Sequence, residues 1–193
     1  MAHTYNLDTG AWIQDTHEGW VSSKVVSKNV GGDKATLVFE ITSGDRIGEK
    51  ITTTSTLAAL EGNAEDKHLP PLMNPPVLEA SDDLTSLSHL NEPAVLQAIK
   101  LRYAKREIYT YSGIVLIATN PFDRMDYLYD PGLIQAYAGK RRGDQDPHLF
   151  AIADTAYQAM VRDKKNQTIV VSGESGAGKT VSAKYIMRYF ATS

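Results

Sequence analysis

Short apolar runs separated by turn residues occupy the first third of the chain. Gly, Asp and Asn cluster between four such runs, at residues 11–13, 20–26, 35–41 and 47–53. Several short strands at near-even spacing, joined by turns of this kind, predict a small antiparallel barrel that occupies residues 1–60. Both tryptophans, Trp12 and Trp20, lie in this stretch, and we expect them to fill its core rather than to bind a ligand.

A proline-rich connector follows at residues 61–83. It contains Leu69-Pro70-Pro71 and Asn74-Pro75-Pro76. Proline has no amide hydrogen to donate and fixes its own φ, so this density of proline prevents a regular helix or a central strand. We therefore expect the connector to wrap over a surface rather than to form a core of its own.

Residues 84–193 have the pattern of a mixed α/β region that opens with a helix. Pro93 suits a first helical turn because its fixed φ is already helical. The apolar residues that repeat at helical spacing are Val95, Leu96, Ile99 and Tyr103. The basic residues on the same helix are Lys100, Arg102, Lys105 and Arg106. A solvated helix face is the favoured interpretation of this basic cluster, with a phosphate or partner contact as the alternative.

Two apolar runs in the same region predict buried strands, at residues 108–118 and 168–172. Their continuous rather than alternating hydrophobicity is typical of strands that are covered on both faces. Further helices are predicted over residues 131–138, 147–163 and 181–191. Two of these helices have an expected apolar face, made of Phe150, Ala153, Tyr157, Met160 and Val161 and of Ala183, Ile186, Met187 and Phe190.

The strongest chemical signal lies between the second predicted strand and the last helix. Gly173-Glu174-Ser175-Gly176-Ala177-Gly178-Lys179-Thr180 matches the pattern G-x-x-x-x-G-K-[ST]. A triphosphate must be wrapped by backbone N–H groups, in conformations and at distances that a Cβ would obstruct. The helix that starts near Lys179 adds unpaired N–H groups and the positive end of its dipole. The sequence therefore predicts a nucleotide site, and the alternative is a glycine-rich turn that binds nothing.

The side chains of this loop have separate predicted roles. Lys179 would place a full positive charge at the β- and γ-phosphates. The Thr180 hydroxyl is the expected ligand of Mg²⁺, which prefers oxygen and usually keeps several waters. Ser175 is a candidate hydrogen-bonding partner of the γ-phosphate or of the attacking water. The Glu174 carboxylate would repel the ligand, so we expect it to point away and pair with a cation.

Composition and charge narrow the classes of function. The chain has 193 residues, of which 22% are charged, and a formal net charge of −3. This balance argues against a basic surface for nucleic acid or anionic lipid. The absence of cysteine excludes disulfides and thiolate zinc sites. Because no signal-peptide pattern opens the chain and no apolar run approaches ~18 residues, we expect a cytoplasmic protein without membrane insertion.

Four segments together resemble the myosin motor family. The sequence of residues 173–180 is similar to the myosin phosphate loop, which is a narrower signature than the general pattern. Residues 90–96, 108–121 and 146–151 are similar to family segments in the same order and at the same spacing. Residues 180–191 are most similar to class V myosins, the cargo transporters, with a fungal character. The N-terminal barrel resembles the SH3-like subdomain of the family.

The resemblance implies a fold, an activity and partners. It implies an α/β phosphate-loop NTPase region after an SH3-like barrel, and ATP hydrolysis with Mg²⁺ coupled to movement along actin filaments. Calmodulin-like light chains would bind a neck region. Matched residue by residue, Asn120 and Pro121 fall on the loop that lies against adenine, and Arg124 and Tyr129 are further members of it. The Leu-Pro-Ile-Tyr that the family usually has at this point is not present in this chain. Tyr127 and Tyr129 are therefore alternative candidates for the tyrosine that packs near the base.

Other parts of the family's ATPase machinery are not found in these residues. The apolar run that ends at Ala118 is followed by Thr119 and Asn120 rather than by a metal-binding acid. Switch I, switch II and the actin-binding surface lie further along the chains of the family. We therefore expect the N-terminal part of a larger enzyme, without full activity alone. The alternatives are a non-enzymatic truncated product or binding module, and another phosphate-loop kinase or GTPase.

Overall fold

A four-stranded antiparallel sheet forms the first of two structural units. The computed structural model describes residues 5–62 and 66–192, and contacts divide the chain into two units. The first unit comprises the residues up to Glu79 together with Ser88–Leu96, and the rest belong to the second. The sheet is ordered β1-β2-β3-β4, with strands β1 (Gly10–Asp15), β2 (Gly19–Gly31), β3 (Lys34–Ile41) and β4 (Lys50–Thr56).

The sheet buries one face because its residues alternate with a period of two. On β3, the buried residues are Ala35, Leu37, Phe39 and Ile41, and the residues between them are partly exposed. Each fully buried large apolar side chain of this kind contributes about 1.5–3 kcal/mol. The four predicted strands are confirmed. No ladder joins β1 to β4 among the described residues, so closure of the sheet into a barrel stays a prediction.

The connector lies along β1 and satisfies backbone groups of that strand. The Trp12 amide donates to the carbonyl of Pro71 at 2.7 Å, and the Met73 amide donates to the carbonyl of Gly10 at 3.0 Å. A short helix, α1 (Leu57–Leu60), precedes the connector. Because proline supplies carbonyls but no amide hydrogens, a proline-rich segment can accept from an edge strand without continuing the sheet.

The second unit combines a two-stranded hairpin with four helices. The hairpin strands are β5 (Tyr109–Ser112) and β6 (Val115–Ala118). The helices are α2 (Glu92–Ala104), which begins in the first unit, α3 (Pro131–Tyr137), α4 (Leu149–Asp163) and α5 (Lys179–Thr192). These helices agree with the four that the sequence predicts, with boundaries that differ by a few residues.

The prediction of one buried strand over residues 108–118 is wrong. The segment folds back on itself, so that β5 and β6 pair antiparallel and Tyr111 lies opposite Leu116. Gly113 has a φ of 55°, in the left-handed region that glycine adopts without a steric penalty, and this permits the tight turn. Ile114, beside it, is 91% exposed. A continuous apolar run therefore conceals a turn when one glycine lies in its middle.

The buried face of α2 also differs from the predicted one. Ala94, Ala98 and Arg102 form the buried row at intervals of four residues. The apolar Leu96 and Tyr103 lie on the exposed side. Small alanine side chains allow close packing, so the inward face of this helix is not the one with the largest apolar residues.

Arg102 corrects the interpretation of the basic cluster. Its guanidinium is buried, where it donates to Thr110 Oγ1 at 3.0 Å and to the carbonyl of Tyr109 at 3.0 Å, and it pairs with Glu107 at 3.1 Å. It therefore ties α2 to β5 instead of facing solvent. The other basic residues of the cluster are exposed, as a solvated face requires: Lys100, Lys105 and Arg106.

The predicted strand at residues 168–172 is not formed in the described part of the chain. Val170 is 82% exposed, and the segment has no ladder partner among the described residues. Apolar composition is not sufficient, because a strand also requires a neighbour to accept and donate its backbone hydrogen bonds. Ile169 and Val171 line an open apolar groove together with Met160 of α4 and Met187 of α5.

The buried residues of α4 and α5 pack the two helices together, whereas Val161 and Phe190 of the predicted apolar faces are exposed. The rings of Phe150 and Tyr189 are fully buried, with centroids 5.4 Å apart. The Tyr189 hydroxyl donates to the buried carboxylate of Asp154 at 2.9 Å. Because the predicted phosphate loop leads directly into α5, this contact fixes the helix that carries the end of the loop.

Candidate functional site

Residues 173–180 follow a tight path into the N-terminus of α5, and the glycines permit it. Gly176 and Gly178 have φ values of 82° and 93°, which residues with a Cβ rarely adopt. A Cβ on Gly173 would come within 3.1 Å of the Ala177 Cβ. The Ala177 amide donates to the carbonyl of Glu174 at 3.2 Å and closes a turn. Conformation therefore requires glycine at two positions, and space restricts the third.

The loop and the first turn of α5 present free backbone donors. Within the described residues, no protein acceptor is bonded to the amides of Ser175, Gly176, Gly178, Lys179 and Thr180. After Thr180, the first amide that donates to a protein acceptor is that of Ser182, which is bonded to the carbonyl of Gly178 at 2.9 Å. Unpaired amides at the positive end of a helix dipole favour an anion. The local structure is thus suited to bind phosphate.

Lys179 holds its charge beside these amides. Its Nζ donates to the carbonyls of Gly173 at 2.7 Å and of Glu174 at 2.8 Å. Both carbonyls belong to the loop itself, so the ammonium group lies over the loop and not out in solvent. The Glu174 side chain is exposed and has no ion pair within residues 5–62 and 66–192, so the predicted pairing with a cation is not found.

A second segment, residues 120–129, meets the loop through the side chain of Asn120. Its Nδ2 donates to the carbonyl of Gly176 at 2.8 Å, and its Oδ1 accepts from the Phe122 amide at 2.9 Å. The first bond joins residues 56 positions apart, and the second shapes the turn that contains Pro121. Since both ends of the amide are used, a carboxylate in its place would lose the donor to the loop.

The two segments line one cavity of about 870 Å³. From residues 120–129 it is lined by Asn120, Pro121, Arg124 and Tyr129, and from the loop by Ser175, Gly176, Ala177, Gly178, Lys179 and Thr180. Gly173 and Glu174 are outside the lining and contribute their carbonyls to Lys179 instead. Tyr127 is also outside it and is exposed, so Tyr129 is the tyrosine of this segment that lines the cavity.

Tyr129 belongs to a group of aromatic residues that the sequence did not reveal. Its hydroxyl lies 2.7 Å from that of Tyr109, and its ring is stacked on Tyr185 with centroids 3.5 Å apart and planes at 7°. Burial raises the pKa of Tyr129, and burial together with the bond to Tyr129 raises that of Tyr109 far above its usual value. Both hydroxyls are therefore protonated at neutral pH.

His148 lies in the same aromatic cluster and is uncharged. Its Nδ1 accepts from the Phe150 amide at 3.0 Å and caps α4, and its ring is stacked on Tyr137. Burial lowers the pKa of His148 to about 4. A positive charge is therefore absent from this buried position at neutral pH, and the cationic side chains that line the cavity are Arg124 and Lys179.

Two acidic residues, Asp123 and Asp126, line the cavity, and the first of them is neutralised by an ion pair. Asp123 lines the cavity and pairs with Arg106 at 2.7 Å. The Arg106 guanidinium holds the pKa of Asp123 below its usual range, so the carboxylate is ionised and paired. No group of three or more His, Asp or Glu side chains in the described parts of the chain is placed to hold a metal ion.

Comparison with known proteins finds similarity to myosins. Residues 81–193 match the family model described as myosin head (motor domain). The chain is 57% identical to Myosin-2 of Lachancea kluyveri and 56% identical to Myosin-2 of Saccharomyces cerevisiae, over 98% of this chain and 12% of each relative. It is 47% identical to unconventional myosin-Va of Gallus gallus, over 97% of this chain and 10% of that protein.

The match has a defined extent. The chain spans about an eighth of the length of the yeast relatives, and the family model covers both segments that line the cavity. Within the part that the structure describes, no helix has the length and apolarity of a membrane span. The family match and the relatives along nearly the whole chain lead to one conclusion: the chain belongs to the myosin motor-domain family.

Proposed function

We propose that this chain contains the nucleotide site of an actin-based motor that hydrolyses ATP. The observation that carries the proposal is the single cavity lined by residues 120–129 and by the loop at 175–180, with Asn120 bonded to Gly176. Free amides and Lys179 favour phosphate at one side, and aromatic residues favour a purine at the other. A triphosphate joined to a base through a sugar requires both.

The phosphates would be held by backbone donors and by one full charge. The free amides of residues 175–180 can donate to phosphate oxygens, and Lys179 can exchange its bonds to the loop carbonyls for bonds to the β- and γ-phosphates. A charge-assisted hydrogen bond is roughly twice as strong as a neutral one. Ser175 lines the cavity and would donate to the γ-phosphate or position water.

Mg²⁺ fits the oxygen donors of this site. Thr180 lines the cavity and offers a hydroxyl at the first turn of α5. One protein oxygen suits Mg²⁺, which usually keeps several waters and takes further ligands from substrate phosphates. When bound, the ion would neutralise charge on the phosphates during hydrolysis. Thr180 would orient it, while Gly173 and Glu174 belong to the turn that leads into the phosphate loop.

At the base, Pro121 and Arg124 would form one wall and the tyrosines another. Arg124 lines the cavity, and a guanidinium near a purine face gains from cation–π contact. Tyr129 lines the cavity on this side and belongs to the stacked aromatic cluster. The family relationship supports adenine as the base, because the matched loop of the family binds ATP.

The family relationship supports further proposals about the complete protein. The proposed domains are an SH3-like barrel over residues 1–60, a connector at 61–83 and part of a phosphate-loop NTPase core over residues 84–193. The proposed location is the cytoplasm. The proposed partners are actin filaments and calmodulin-like light chains. The curled antiparallel arrangement of β1 to β4 supports the barrel. The similarity to yeast Myosin-2 and to myosin-Va supports a motor of the class V type.

Steady-state hydrolysis of Mg–ATP by the complete protein, with and without filamentous actin, tests the proposal. We expect hydrolysis that actin accelerates, because ATP turnover coupled to filament binding is the proposed function. Hydrolysis in neither condition, with a protein that is folded by circular dichroism, would contradict it. If the protein hydrolyses ATP at a rate that actin does not change, the proposed nucleotide site would stand and the proposed motor function would be rejected.

A further inference from the structure

Tyr185, on α5, has an aromatic face that no other ring covers. One face is stacked on Tyr129, with centroids 3.5 Å apart and planes at 7°. Among the described residues this is the single ring contact of Tyr185. Tyr129, in contrast, also contacts the rings of His148 at 5.8 Å and Phe150 at 6.5 Å. The stack thus has an inner ring, Tyr129, and an outer ring, Tyr185.

The inner ring is fixed from behind. Its hydroxyl is bonded to that of Tyr109, which is buried at 4% exposure. The carbonyl of Tyr129 accepts from the Arg188 guanidinium at 3.3 Å, one turn beyond Tyr185 on α5. A ring held at its hydroxyl, its face and its backbone cannot turn to a ligand without breaking these contacts. Tyr129 is therefore placed to support another ring rather than to receive the base on its own face.

Tyr185 is placed at a suitable distance from the phosphate side. It lines the cavity, and it follows Lys179 by six positions on the same helix. Six residues of α-helix advance by about 9 Å, which leaves room for a sugar between the loop and the ring. Tyr185 and the phosphate-binding amides thus belong to one rigid element, and their separation is set by helix geometry.

We infer that the base of the nucleotide packs on the outer face of Tyr185, and that Tyr129 is the positioning residue behind it. This inference rests on the proposed nucleotide site and names the surface that receives the base. Stacking of a base on an aromatic ring stabilises the bound nucleotide and tolerates either purine. Tyr185 would therefore raise the affinity for a purine nucleotide over that for the polyphosphate alone.

Paired affinities for Mg–ATP and for inorganic tripolyphosphate, measured by calorimetry on the complete protein, test this inference. In Tyr185→Leu we expect ATP affinity to fall about tenfold, the scale of one lost base stack, and tripolyphosphate affinity to stay within twofold. Tyr185→Phe keeps the ring and is the matched control, so both affinities should stay within twofold. Equal losses for both ligands in Tyr185→Leu, or unchanged ATP affinity, would overturn the inference.

Photocrosslinking of the wild-type protein with 8-azido-ATP gives a test that needs no variant. Trypsin releases Tyr185 in the peptide Tyr185-Ile186-Met187-Arg188, because Lys184 precedes it, whereas Tyr127 and Tyr129 lie in the peptide after Arg124. We expect the adduct on the Tyr185 peptide. An adduct confined to the peptide after Arg124 would overturn the inference and retain the site. Wild-type protein that binds neither ATP nor tripolyphosphate would reject the proposed function itself.

Discussion

The two sides of the cavity are built from different chemistry. The proposed phosphate side consists of backbone amides, glycines at positive φ and one ammonium group, and most of its residues are exposed. The proposed base side consists of side chains: Tyr109, Tyr129 and His148 are packed together behind Tyr185. The first side depends on backbone conformation and charge, and the second depends on buried volume and hydroxyl pairing. Substitutions should therefore affect the two sides in different ways.

The largest effect is expected from Lys179→Ala. The change removes a full charge from a dense anion site, where one such group is worth about 3 kcal/mol or more, so ATP turnover should fall about 100-fold. Both ATP and tripolyphosphate affinity should decrease, because the lost contact is to phosphate. Steady-state ATPase and calorimetry on the complete protein measure this. Lys184→Ala, an exposed lysine on the same helix, is the control, and equal activity in the two variants would contradict the assignment.

The base side should make stability depend on pH through His148. Burial lowers the pKa of His148 to about 4 from an ordinary value near 6.5. The unfolded chain thus binds a proton that the folded chain rejects, so stability is full above pH 6.5 and falls as the pH decreases to about 4. The interval corresponds to about 3 kcal/mol in the free energy of unfolding.

Urea unfolding between pH 7 and pH 4 measures this contribution. His148→Asn can still cap α4 but has no titrating group, so the difference in unfolding free energy between variant and wild type should diminish toward pH 4. Carboxylates titrate in the same range in both proteins and cancel in the difference. A constant difference across the range would mean that His148 is protonated while folded.

A pair of glycine substitutions separates backbone strain from ligand contact. Gly178 and Gly143 both have a φ of 93° and open space where the Cβ of an alanine would lie. Alanine at either position should cost about 1–2 kcal/mol of stability because of the left-handed backbone. Only Gly178→Ala should also weaken ATP and tripolyphosphate binding, about tenfold, since only Gly178 lines the cavity. Equal ATP affinity in the two variants would show that the loop does not hold phosphate.

The smallest effect is expected from Tyr129→Phe. The change leaves the Tyr109 hydroxyl without its partner in a buried position, which costs about 1–2 kcal/mol of stability. The ring and its stack on Tyr185 remain, so ATP affinity should not change. Tyr127→Phe removes an exposed hydroxyl and should alter stability by less than about 0.5 kcal/mol. Thermal unfolding compares the two, and equal melting temperatures would contradict the buried hydroxyl pair.

The glycine-rich turn into α5 could be predicted from the sequence because a local pattern encodes it, while its binding of phosphate stays a proposal. Gly176, Gly178, Lys179 and Thr180 lie within one segment, and their spacing reflects backbone requirements that do not depend on distant residues. The strands of the first unit were predictable for a related reason. On β3, apolar and more polar residues alternate with a period of two, and this pattern indicates which side chains face the core.

The base side and several buried faces could not be predicted, because they depend on pairings between distant segments. The contacts among Tyr109, Tyr129 and Tyr185 form only in the folded chain, and the spacing of these residues in the sequence does not predict them. Arg102 was interpreted as solvated because its buried acceptors lie on another element. The segment at 168–172 shows the reverse case, in which a strand-like composition has no partner among the described residues.

Hydrogen exchange of the complete protein with and without Mg–ATP tests most directly whether the two segments form one nucleotide site. Peptides that cover residues 173–180 and residues 119–129 should both become protected when ATP is added, because free amides of the first segment would bond to phosphate and the second would contact the base. In tripolyphosphate, only the first segment should be protected. Exchange that ATP leaves unchanged at residues 173–180 would contradict the assignment of this loop as the phosphate site.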